Sequence, residues 1–333
     1  MIAYVLRRLL HSAATMLVAV ALIFVAMRAL PGNPFLAQFG QHPDAEQLEA
    51  LREQYGWNDP IHRQLGSFFW QLVTRGDLGR SISDPTERIS DALRRRIPAT
   101  IELTLAAVLI AVPVGIGAGV LAAVRHNRWP DYVCMLAALL GVSVPVFFLG
   151  ICLRGIFTGM PTNARLPTYV FDFEPLTGLY VIDTLIRGRV DLFFAALRHL
   201  CLPALALSSI PMAIIARITR ASMLDVLSSD FVRTARAKGA ARWRIVWRHA
   251  LPNAAVPIAN IAGFQIGLLL SGAVLTETVF DWPGLGTYIV AAVQENDFMV
   301  VQAGAIMIAA LFVVTNLAVD LCYIWLDPRI RLH

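Results

Sequence analysis

Charge is scarce in this chain. Only 15% of its 333 residues are Asp, Glu, Lys or Arg, against about 25% in soluble globular domains. Hydrophobic residue types reach 57%, and the mean hydropathy is +0.62. This excludes an ordinary soluble domain and places the chain among membrane proteins. The pI of 9.3 then fits a basic membrane face rather than nucleic acid. Lysine is almost missing: of 28 basic residues, only Lys238 is not arginine. Cysteine is sparse too. Cys134, Cys152, Cys201 and Cys322 lie in or beside apolar runs, and none forms a C-x-x-C pair. That speaks against a disulfide framework or a zinc site, and they read as small apolar packing residues.

Catalytic signatures are missing as well. No G-x-x-x-x-G-K-[ST] occurs, so nucleotide phosphates are not cradled by that route. No H-E-x-x-H occurs, and the seven histidines are scattered. The chain reads as no enzyme, with no cofactor and no metal of its own. Gly115, Gly117 and Gly119 form a G-x-G-x-G run inside an apolar helical pattern, where glycine serves close helix packing. No acid stands at the middle of an apolar run. Glu102 and Glu277 lie near outer ends and Asp320 near an inner end, where headgroups or water are within reach and interfacial or structural pairing is expected. Asn316 and Asp320 are one turn apart and can share a face. The missing central acids disfavour an ion-coupled carrier acting alone, which stays as the alternative class beside a receptor or scaffold that moves nothing.

Six apolar stretches are long enough to cross a hydrocarbon core, which takes about 20 helical residues. They are Leu9–Leu30, Ile101–Val124, Tyr132–Leu153, Leu200–Ile218, Ala254–Val279 and Val300–Trp325. The first has no small-x-small cleavage site and reads as an uncleaved helix. The expected architecture is all-α, with segment 1–30 as the N-terminus and first span and 31–98 as an outer loop region. The core membrane domain follows over 99–326, including an inner loop over 219–253, and 327–333 forms a tail. An even number of spans puts both termini on one side. The segments on that side hold roughly 14 Lys/Arg against about 5 Asp/Glu, so it is expected to be cytoplasmic. In the first outer loop, Phe68, Phe69 and Trp70 suit a membrane surface.

One inner segment, RTARAKGAARWRIVWRHALPNA (233–254), is the most basic in the chain. Ser228, Ser229 and Asp230 are good N-cap types, and Gly239 suits the position after a helix end. These frame a helix over Phe231–Lys238. A second helix is expected over Ala241–Leu251, ending at Pro252. At helical spacing Trp243, Val246, Trp247, Ala250 and Leu251 share one arc, opposite Arg242, Arg244, Arg248 and His249. Such a segment is either an anchor on anionic lipid or a docking element for a soluble partner. A simple anchor needs no glycine corner.

The spacing of this segment resembles the EAA loop of permease subunits in bacterial ATP-binding cassette (ABC) importers. In that loop, E-A-A is followed after three residues by Gly and after nine more by I-x-L-P. Here the match is Arg233-Thr234-Ala235, Gly239 and His249-x-Leu251-Pro252, with Arg233 and His249 departing from the pattern. Thr-Ala-Arg-Ala-Lys-Gly is similar to the version in the dipeptide/oligopeptide/nickel branch. Further motifs of that branch occur in order along the chain: LRRLL, LPGNP, GDLGRS, PATIELTLAA, VPVFFLG, PLTGLYVIDTL, RHLCLPALAL, TETVFDWPGLG and LDPRIR. The PLTG…DTL insertion looks closest to dipeptide-permease-like members.

The resemblance implies a type I importer permease fold in the bacterial inner membrane, with periplasmic loops and a cytoplasmic coupling helix. It implies a homologous second permease, two ATPase subunits that bind ATP and Mg, and a periplasmic or lipid-anchored substrate-binding protein. It makes Thr234, Ala235, Ala237 and Gly239 the shape of the docking corner, followed by Leu251 and Pro252. Arg236, Lys238, Arg242 and Arg244 become candidates for contacting an ATPase. Gln265, Ser271 and Thr276 are candidates for lining the path. Trp282-Pro283-Gly284 reads as an outer turn. Dipeptides, oligopeptides, glutathione, nickel chelates and haem all fit the branch as cargo.

Overall fold

A computed structural model describes residues 2–30, 45–54, 56–170 and 172–326. The described residues contain no β-strand; a lone bridge joins Arg80 and Arg88. The helices run in the order α1 (Ile2–Ala29), α2 (Ala45–Gln54), α3 (Ile61–Arg75), α4 (Ile89–Val124), α5 (Trp129–Ser143), α6 (Val146–Ile156) and α7 (Tyr180–Ile186). They continue with α8 (Val190–Leu227), α9 (Asp230–Ala237), α10 (Arg242–Arg244), α11 (Leu251–Gly272), α12 (Val274–Val279), α13 (Leu285–Gln294) and α14 (Phe298–Leu326). A π-helical stretch, Ile245–Ala250, joins α10 to α11.

Length and apolarity let α1, α4, α8 and α14 cross a membrane singly. The expected third span is not straight. Its residues form α5 and α6, a broken span or a re-entrant loop bent by 107° where Val144 takes an extended conformation ahead of Pro145, as the residue before proline prefers. The expected fifth span is α11 followed, after Ala273, by the separate α12. At 22 residues α11 is long enough to span, although Pro252, Asn253, Pro257, Asn260 and Gln265 dilute its hydropathy. Among the described residues, four segments can cross on length and composition, a fifth if α5 and α6 form one bent span, and α11 on length alone.

The most extensive helix pair is α4 with α8. Two of the three glycines make it possible. A Cβ on Gly115 would lie 2.8 Å from the Met212 carbonyl oxygen, and one on Gly119 2.5 Å from that of Ala216. Gly117 faces open space. Residues spaced by four, all small except Leu103 (Ala99, Leu103, Ala107, Ala111, Gly115 and Gly119), carry this buried ridge along α4.

The two ends of the bundle differ. At one end lie the termini of α4 and α8 and the 228–250 segment. Leu251 and Val319 line one groove there, and Arg8 of α1 pairs with Asp320 of α14 at 2.7 Å. Asn316 instead approaches Gly267 of α11, so it and Asp320 serve different neighbours. Also at this loop end, Arg220 grips Asp131 through two bonds of 2.6 and 2.8 Å, fastening the start of α5 to α8.

The opposite, far end is built on buried carboxylates. Glu102 and Arg165, both buried, form an ion pair (2.5 Å). Arg165 also donates to the Gly178 carbonyl (2.6 Å) and lies 3.7 Å over the Tyr180 ring. Asp183 accepts the backbone N–H groups of Leu176, Thr177 and Gly178 and the Thr177 hydroxyl. Gly178, at φ +81°, comes so close to Pro98 that a Cβ would clash. The PLTG…DTL insertion is therefore an Asp-capped turn pressed onto α4. Glu277 accepts from the Thr100 hydroxyl (2.6 Å) and the Gly286 N–H (2.6 Å), and any Cβ on Gly284 would strike its carboxylate. Asp297 accepts from the Ser81 hydroxyl (2.5 Å) and from the Ile82 and Ser83 N–H groups, tying GDLGRS to the start of α14.

One expectation changes here. Glu102 and Glu277 do not reach headgroups or water; both are buried and hydrogen-bonded within the protein, the condition under which a buried acid is tolerated. Trp282 is a buried anchor, 1% exposed, whose indole donates to the Ala99 carbonyl (2.8 Å). On α3, Phe68 faces inward onto Phe24, whereas Trp70 is 70% exposed.

Candidate functional site

The 228–253 segment forms a corner at the loop end. The helix α9 starts after Ser229, but neither serine caps it. Ser228 and Ser229 turn back to the Asp225 and Val226 carbonyls at the end of α8, because those oxygens have no helical partner. Thr234 donates to the Asp230 carbonyl of its own helix. At the other end of α9, Gly239 adopts φ +78°. Its N–H bonds to the Arg236 carbonyl (2.9 Å), and that of Ala240 to Ala235 (3.1 Å). This left-handed stop is the geometry for which glycine is suited.

The chain does not break at Pro252. The segment from α10 runs through the π turn directly into α11. Proline has no N–H to donate and crowds the carbonyl four residues back; the wider π turn accommodates both. The Leu251 N–H reaches the Val246 carbonyl, and the Asn253 side chain bonds the His249 carbonyl at 2.6 Å. The π geometry also splits the expected apolar arc. Ile245, Val246 and Ala250 are buried, with Leu251 half-buried, whereas Trp243 is 69% exposed and lies tilted against the exposed Trp247.

Val246 and Ala250 pack with Val120 and Ala123 of α4 and Met223 of α8, joined by Ala254 and Ile258 of α11. Val232 is buried on the inner face of α9. One core thus joins the π turn that follows the corner to α4, α8 and α11.

Of the expected docking residues, Thr234, Arg236, Ala237, Lys238, Gly239, Arg244 and Pro252 are exposed and Ala235 is half-buried. Thr234 to Gly239 flank the corner itself, whereas Pro252 lies at the start of α11. Arg242, though exposed, is committed within the chain: it donates to the Val124 carbonyl at 2.6 Å and caps α4. The path candidates are not brought together in one described cavity. Gln265 is buried on α11 and Thr276 on α12, its hydroxyl without a hydrogen-bond partner; the Ser271 side chain lies outside the described residues. Gln265 is absent from the lining of an apolar groove of about 620 Å³ along α4 and α11.

Two family profiles cover nearly the whole chain. Residues 115–332 match the binding-protein-dependent transport system inner membrane component. Residues 1–104 match the N-terminal region of the same membrane component. The chain belongs to this family. The permease is 41% identical to a dipeptide transport system permease protein of Alkalihalophilus pseudofirmus, over 99% of this chain and 100% of that one. It is 39% identical to the dipeptide transport system permease protein of Escherichia coli K12, over 99% of both. It is 36% identical to an E. coli glutathione transport system permease protein, again over 99% of both. Among solved structures it resembles a chain of the MetNI methionine ABC transporter in inward-facing conformations. The TM-score is 0.51 at 16% identity, covering 71% of this chain and 96% of that one, a likeness of fold. The permease is a multi-pass inner-membrane translocation subunit of an ABC importer.

Proposed function

We propose that the permease imports dipeptides or short oligopeptides. The loop end faces the cytoplasm and meets two separate ATPase subunits that bind ATP and Mg. The far end faces a periplasmic or lipid-anchored binding protein, and a homologous second permease completes the pathway. The 219–253 loop serves as the coupling element, with Thr234 to Gly239, Arg244, Leu251 and Pro252 forming the seat and Arg236 and Lys238 supplying charge. Arg242 stiffens the seat from behind. The observation that carries this reading is the exposed glycine corner leading straight into a π turn that packs in one core with α4, α8 and α11. An anchor lying on lipid needs no such connection. In the ABC cycle that this family follows, ATP binding closes the ATPases and turns the permease outward; hydrolysis resets it. Specificity for peptide rests on the dipeptide-named relatives and is shared with the binding protein.

Proteoliposomes with the permease, its partner permease, both ATPases and the binding protein are expected to accumulate labelled dipeptide only with ATP. Leaving out the ATPases abolishes uptake, whatever ion gradient is imposed. Gradient-driven uptake by the permease alone would instead establish the secondary-carrier alternative.

A further inference from the structure

Beneath the corner, between the ends of α4 and α8 and the start of the π turn, lies a cavity of about 590 Å³. Its walls are of two kinds. Ala123, Val124, Leu224 and Leu227 make an apolar side, while two arginines, Arg236 and Arg242, line the same space. Arg242 spends one nitrogen on the Val124 carbonyl, and a guanidinium has five N–H donors in all. A ligand that fits must join an anionic head, such as a phosphate held by arginine forks, to an apolar body.

Two further features say which amphiphile is at hand. Trp129, at the start of α5, is 72% exposed, and with the exposed Trp243 and Trp247 it gives this end three outward tryptophans. Such residues mark the headgroup level of a bilayer. The same end is strongly basic, with about ten Lys/Arg against about three Asp within 125–131 and 217–250, an attraction for anionic lipid of about 1 kcal/mol per basic residue. Asp131 is already matched by Arg220.

We propose that this cavity is a binding site for one anionic phospholipid, its phosphate held by Arg236 and Arg242 and its acyl chains against Leu224 and Leu227. A lipid seated there ties α9 to the ends of α4 and α8 and stiffens the corner. The inference depends on the chain spanning a membrane and not on the cargo; it turns Arg236 from the proposed ATPase seat to the lipid and leaves Lys238 as the charge of that seat.

Native mass spectrometry of the full-length permease, released from nanodiscs of mixed phosphatidylglycerol and phosphatidylethanolamine, tests it. Phosphatidylglycerol is expected to be retained about ten-fold over phosphatidylethanolamine, and Arg236→Gln to remove that preference, since a charge-assisted bond is lost. Leu227→Trp, which fills the cavity, is expected to do the same, with Ala240→Leu as a second filling variant should the first fold poorly. Arg244→Gln, outside the cavity, leaves retention unchanged. Equal retention of the two lipids, or a preference that survives Arg236→Gln and the filling variants, would overturn the proposal. So would displacement of the lipid by millimolar inorganic phosphate, which would make this a site for soluble phosphate.

Discussion

Gly239→Val is expected to reduce ATP-driven peptide uptake by more than about ten-fold while the permease remains folded in the membrane. The space around Gly239 is open: nothing lies within 4 Å of a Cβ placed there. The cost therefore comes from the backbone, held at φ +78°, where a non-glycine residue loses about 1–2 kcal/mol. That is too little to unfold a protein whose corner is held by Val232, Val246 and Ala250 in buried packing. It is enough to unwind the left-handed stop and to change the angle between α9 and the π turn. Gly239→Asn should keep most activity, because asparagine tolerates this conformation. Uptake and ATP hydrolysis measured together in proteoliposomes check the prediction. Hydrolysis should persist in the valine variant but lose its link to transport. Uptake undiminished by valine would mean that the corner's shape does not matter.

Arg165→Met is expected to be the most destabilising single change at the far end. It strands Glu102, which is 6% exposed and keeps the Val181 N–H as a partner (2.7 Å). Breaking a buried pair from one side costs about 3–5 kcal/mol. The same change removes the bond to the Gly178 carbonyl and the stacking on Tyr180, so segment 172–189 comes loose from α4. Pairing Arg165→Met with Glu102→Gln should restore a large part of the stability, because no buried charge is then left alone. Thermal unfolding in detergent gives the two values, and hydrogen exchange locates the loosening. A loss below about 1 kcal/mol for the single variant would place the pair in water rather than in the protein.

Much of this architecture is legible in the residues. Apolar runs of about 20 residues leave few alternatives to membrane helices, and the G-x-G-x-G run on α4 does mark a close crossing. The corner shows in the sequence because Gly239 follows a short polar helix. What stays hidden depends on partners distant in the chain. Glu102 looks like an acid at a span end until Arg165, 63 residues away, encloses it. Glu277 meets Thr100 across 177 residues, and Asp297 meets Ser81 across 216. One signal was available: GDLGRS, PLTG and DWPGLG are tight turns whose bunched N–H groups need an acceptor. The π turn was illegible for another reason. Periodicity at 100° per residue assumes an unbroken α-helix, and Pro252 shifts that register, placing Trp243 and Trp247 outside the buried arc.

The corner around Gly239 is proposed as the seat of a partner ATPase. Thiol cross-linking from Lys238→Cys in the assembled transporter tests it most directly, with Trp70→Cys at the far end as the control. Val124 of α4 lies about 33 Å along the helix from Glu102, so the two probes are separated by a full bilayer core. The account predicts that position 238 joins an ATPase subunit in a yield that changes when ATP is added, and that position 70 joins none. No ATPase product from position 238, or equal products from both positions, would contradict it.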